Sequence, residues 1–213
     1  MDESLLETLP LAHRLALSYA PARARVRTGA LLALNQRLAG IVRQAGEPVI
    51  AQMKLAWWRD RFAQAPVDWP VGEPLLAALA ESGGDTARLG ALVDGWEALL
   101  AERLGETEIA AFADGHAAGW HWVAGGSDAP AIDRAARQWA LADLARNLGD
   151  AEERARAAGA LRSVETPGRL PRGCRTLAVL RALALRALDR GEADLLAGPG
   201  AALLAMRVGI SGR

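Results

Sequence analysis

Apolar residues recur at helical spacing along most of this 213-residue chain and alternate almost nowhere, which leaves little room for a β-sheet. The clearest stretch is Leu89, Leu92, Val93, Trp96, Leu99 and Leu100, at i, i+3, i+4, i+7, i+10 and i+11. Ala and Leu, both strong helix formers, supply much of the pattern. Neither Asp94-Gly95 nor Asp114-Gly115 falls between alternating runs, as a hairpin turn would.

Punctuation divides the chain into helices. The pattern predicts helices over 4–18 and 21–42, then one from Glu47-Pro48 to about 64. In that third helix Ile50, Met53, Ala56 and Trp57 fall near one stripe. Pro66, Pro70, Gly72 and Pro74 mark a connection. Further helices are expected over 75–81, over 86–104 behind an Asp85 cap, and over 108–123 behind a Thr107 cap. Asp128 and Pro130 should open a long helix through 148. A loop follows at 161–171, then helices over 174–188 and 201–208. No internal repeat or linker interrupts residues 1–213, so a single all-α domain is expected, with Trp57, Trp58, Trp96, Trp120, Trp122 and Trp139 in its core.

The charge is zero overall but segregated. Residues 11–61 carry nine bases against Glu47 and Asp60; residues 62–133 carry twelve acids against Arg88 and Arg103. Residues 134–213 are basic again, with fourteen bases and eight acids. Such thirds either pair on folding or present separate faces. Near-neutral charge without a zinc-finger or RNP motif argues against nucleic acid. One cysteine, Cys174, forms no internal disulfide and favours a reducing cytoplasm; its place near a helix start predicts a lowered pKa, though no base is paired with it. The acidic start 1–7 differs from a basic secretory leader, and 195–206 is too short and too Gly/Pro-broken to span a bilayer. The expected location is cytoplasmic, or peripheral to a membrane. His116 and His121 lie five apart on a helix and do not converge on a metal; His13 stands alone.

Two segments together carry a resemblance. The first is Ala30-Leu31-Leu32-Ala33-Leu34-Asn35-Gln36-Arg37-Leu38-Ala39-Gly40-Ile41-Val42-Arg43, followed by Glu47-Pro48 and Leu55-Ala56-Trp57-Trp58-Arg59-Asp60. The second is Leu141-Ala142-Asp143-Leu144-Ala145-Arg146-Asn147-Leu148-Gly149-Asp150. In order and spacing they resemble the squalene/phytoene synthase family, all-α enzymes that join two prenyl diphosphates head to head. The resemblance implies an isoprenoid-synthase-like helical bundle around a central cavity.

It also implies two carboxylate clusters that hold Mg²⁺ against a departing diphosphate. At the first cluster stand Ala39, Gly40 and Arg43, and at the second Asn147 and Ala151 replace the paired acids. Asp143 and Asp150 remain, seven apart and so expected on nearly one helix face, either as a reduced metal site or as partners in local ion pairs. Arg23, Arg27, Arg37 and Arg43 stand on one helix as a candidate groove for a diphosphate or an anionic lipid, with Asn147 as a further candidate; alternatively the arginines pair with the acidic middle third.

A branch of the family that includes a mitochondrial assembly factor for respiratory complex I has similarly weakened acidic clusters. The expectation is therefore a non-catalytic protein without a cofactor, binding an isoprenoid or lipid, or a protein partner at a membrane. The alternative is a prenyl-diphosphate transferase using Mg²⁺ at a reduced site.

Overall fold

The computed structural model describes residues 3–44, 46–126 and 129–212, and among them it contains eleven α-helices and no strand. Helices α1 (Glu3–Glu7) and α2 (Leu11–Ser18) replace the single expected first helix, because Pro10 carries no N–H to continue it. Then come α3 (Ala22–Arg43), α4 (Pro48–Phe62), α5 (Pro74–Ser82) and α6 (Arg88–Ala98). The rest of the bundle is α7 (Glu106–Val123), α8 (Pro130–Asn147), α9 (Ala151–Ser163), α10 (Arg175–Arg190) and α11 (Gly198–Ser211).

The ends follow local chemistry. Pro48, Pro74 and Pro130 each open a helix, where the missing N–H costs nothing. Asp128, expected beside Pro130, lies outside the described residues. Helix α5 stops where Gly83 takes φ +65°, a conformation that L side chains rarely adopt. At the start of α7 the cap is not Thr107; the Glu108 carboxylate reaches back to accept the Gly105 N–H at 2.9 Å. Helix α6 ends at Ala98, short of the expected 104, so Leu99 and Leu100 leave the stripe half-buried.

Helix α9 was hidden from pattern reading. Only Ala157 is buried in it, so no apolar stripe betrays it. Asp150 holds its start, accepting the Glu152 and Glu153 N–H groups at 2.9 Å each. Asp150 therefore caps α9, whereas α8 has already ended at Asn147. The expectation that Asp143 and Asp150 share one helix face is corrected accordingly.

One apolar cluster runs from Leu5 to Val208. Helices α6 and α7 cross closely, where Gly95 and Gly115 let backbones touch: a Cβ on Gly115 would sit 2.5 Å from the Ala91 carbonyl oxygen. Beside that crossing, where α3, α6, α7 and α8 meet, His116, Trp120 and Trp139 close around Leu31, Asn35 and Leu92 and leave no room for a water molecule. Asn35 accepts the Trp96 indole N–H there at 2.9 Å. Trp58, Trp96, Trp120, Trp122 and Trp139 are buried as expected. Trp57 is not: it keeps 38% of its surface.

Candidate functional site

A groove of about 990 Å³ lies on the flank, between α3 and α4. One wall is the stripe Ala33, Gln36, Arg37, Gly40, Ile41 and Gln44 of α3, with Arg43 at its end. Ile50, Met53, Lys54 and Trp57 of α4 form the other, while Leu5 of α1 and Glu73 and Leu75 close the ends.

The α4 wall corrects an expectation and explains it. The buried stripe of α4 is Ala51, Leu55, Trp58 and Phe62 (i, i+4, i+7, i+11), of which the last three belong to the apolar core. Ile50 and Met53, which share the sequence stripe with the expected core residue Trp57, are 49% and 69% exposed. Helix α4 is apolar on two sides, and a helix packed on one side of a bundle buries only one. The stripe read from the sequence is the one that the bundle leaves uncovered.

The four candidate arginines divide between two places. Arg37 and Arg43 line the flank groove; Arg23 and Arg27 line a separate depression of about 580 Å³ with Ser82, Gly125 and Cys174. The single groove expected along α3 is thus not formed. Arg27 donates to the Ser82 carbonyl at 2.6 and 3.2 Å and to the Trp122 carbonyl at 3.4 Å, with its guanidinium 5.4 Å from the Trp122 ring centre. It ties the C-terminal ends of α5 and α7, where a cation meets the negative pole of each helix. Arg37 lies 3.5 Å from Glu73, an acid of the middle third, which also accepts the Leu75 N–H to cap α5. Arg59 likewise bonds Asp94, at 2.6 Å, and Glu97. Pairing between oppositely charged thirds is therefore part of the fold.

Arg43 donates its Nε–H to the Ala39 carbonyl at 3.3 Å. On α8, Asp143 accepts from Arg146 at 3.3 Å. Burial pushes the Asp143 carboxyl above the usual range, against the opposing pull of Arg146 and Arg43 and a hydrogen bond with Asn147. Asn147 turns its amide onto the Asp143 backbone carbonyl at 2.8 Å, satisfying the end of α8. The exposed Asp150 carboxyl is held below the usual range by the N–H groups of Glu153 and Glu152 that it caps. Among the described residues, no three His, Cys, Asp or Glu side chains gather where one ion could join them.

Buried elsewhere, Cys174 has its thiol pushed up to about 11, which overturns the lowered value expected of a helix start: desolvation outweighs the dipole. Burial also lowers His13 and His116 to about 4. His116 donates its Nδ1–H to the Phe112 carbonyl at 2.9 Å; a carbonyl only accepts, which fixes the neutral tautomer.

Residues 13–107, from within α2 through the flank groove to the first residues of α7, match the family model described as squalene/phytoene synthase. The match makes this stretch similar to the squalene/phytoene synthase family and covers under half of the chain. No curated protein and no solved structure matches the chain. The matched stretch includes Ala39, Gly40 and Arg43 but ends before Asp143, Asn147 and Asp150. The Mg²⁺ chemistry implied by the resemblance needs carboxylates opposed across a cavity, and these side chains do not fit it. One wall offers a methyl group, a hydrogen atom and a guanidinium; the other offers one carboxylate already shared with Arg146. No helix among the described residues is long and apolar enough to cross a membrane.

Proposed function

We propose that this squalene/phytoene synthase-like protein is non-catalytic and acts by binding, in the assembly of a membrane-associated complex. The observation that carries the reading is Arg43. It occupies a position where the resemblance calls for a metal-binding acid, and its charge bears on Asp143, a remaining candidate ligand. A fixed guanidinium repels a dication at the place where diphosphate departure would need one. The flank groove, with Arg37, Arg43 and Lys54 above an apolar floor, offers binding chemistry in place of turnover: cations for an anionic group and Ile50, Met53 and Trp57 for an apolar one. An isoprenoid or lipid bearing a phosphate satisfies both requirements, as does a protein segment of the same character. Any action at a membrane is then peripheral.

The test is turnover. Purified protein incubated with prenyl diphosphates and Mg²⁺ should release no pyrophosphate above the rate without protein, and calorimetry should show no Mg²⁺ uptake. Release of pyrophosphate that Asp143→Ala abolishes would overturn the proposal and establish the transferase.

A further inference from the structure

Helix α4 buries one apolar stripe and leaves another, Ile50, Met53 and Trp57 at i, i+3 and i+7, between 38% and 69% exposed. Across the groove α3 presents its own stripe, from Ala33 to Gln44, at i, i+3, i+4, i+7, i+8 and i+11. Eleven residues of helix span about 16 Å, so the trough runs three turns and has helical ridges on both walls. It is narrowed by nothing at its middle: a Cβ built on Gly40 meets no atom within 4 Å. The shape is that of a bundle lacking one member.

The charge selects what fits. Arg37, Arg43 and Lys54 line the trough against a single acid, Glu73, which Arg37 already neutralises. From these walls we infer that the α3–α4 trough is a docking surface for an acidic amphipathic helix of a partner protein. Its apolar side chains would seat at i, i+3, i+4 and i+7 between Met53 and Gly40, with its carboxylates toward Lys54 and Arg43. A bilayer is flat and would meet only the α4 crest, leaving the α3 wall uncovered. A second copy of the chain would set two cationic rims against each other. The inference names a partner for the binding role proposed above, and it rests on that reading.

The test uses the full chain and two capped synthetic peptides of about five turns, with the same leucine spacing and a polar face of Glu in one and Lys in the other. Calorimetry should show the Glu peptide binding at least tenfold more tightly than the Lys peptide. Met53→Glu and Gly40→Leu should each weaken it tenfold or more. Both positions look onto open space, so the thermal midpoint should not fall, and Gly40→Leu should raise it. Equal affinity for the two peptides, no binding, or indifference to both substitutions would overturn the inference. Phosphatidylglycerol vesicles that bind where the peptides do not, in a manner Met53→Glu abolishes, would assign the face to a bilayer. Self-association lost in Met53→Glu would assign it to a second copy. Turnover of prenyl diphosphate by a protein that also binds the Glu peptide would sink the non-catalytic reading and leave the docking surface standing.

Discussion

Two buried imidazoles make this bundle sensitive to mild acid. His13 packs edge-on to Trp139, and His116 sits among Trp96, Phe112 and Trp139; burial holds both near pKa 4, against 6.5 when unfolded. A base whose folded pKa is depressed binds fewer protons folded than unfolded. Its contribution is therefore complete above pH 6.5 and is lost as pH falls toward 4. At about 1.4 kcal/mol per unit, each ring accounts for about 3 kcal/mol across that window. Carboxylates contribute too, so the clean measurement is a difference. Urea unfolding of the wild type and of His116→Gln, at several pH values from 7 to 4.5, compares a chain that titrates at this site with one that does not. At pH 7 the variant should be less stable, having lost ring contacts in a close-packed centre. By pH 4.5 the gap should have narrowed by about 2 to 3 kcal/mol, equivalent to roughly 1 M urea for a chain this size. A gap that stays constant with pH would refute the claim that His116 is held neutral by its burial.

The α6–α7 crossing predicts a paired result by thermal or urea unfolding. Gly115→Ala should destabilise by about 1–3 kcal/mol despite its better helix propensity, because the new methyl meets the Ala91 backbone, while Gly90→Ala, facing open space in the same pair of helices, should stabilise by roughly 0.5–1 kcal/mol. Asp150→Ala should speed amide exchange at Glu152 and Glu153 several-fold and leave the overall midpoint almost unmoved, since it frays α9 alone; unchanged exchange would count against the capping role.

The all-α architecture was readable because periodicity and punctuation agree: stripes such as Leu89 to Trp96 are buried, and Pro48, Pro74 and Pro130 open helices where proline is tolerated. What escaped has physical causes. Helix α9 is set by a capping carboxylate rather than by apolar spacing, so spacing alone groups Asp150 with α8. Helix α4 carries two apolar stripes, and only tertiary packing decides that Leu55 and Trp58 turn inward while Met53 and Trp57 stay outside. The arginines of α3 share a helix, yet a helix of 22 residues is about 33 Å long, so Arg27 and Arg43 serve different ends of the molecule. Charge pairing between Arg37 and Glu73 was foreseeable from the segregation, though not its geometry.

At Gly95 and Gly115 no side chain separates α6 from α7, so there is nothing to trim, swap or repack. Each of these glycines is followed directly by a ring of the filled interior, Trp96 on one helix and His116 on the other. The rings are therefore stationed by main chain meeting main chain, which has no graded intermediates. A lineage of such proteins can revise the outer wall of α4 one residue at a time, but its interior admits change only in whole steps.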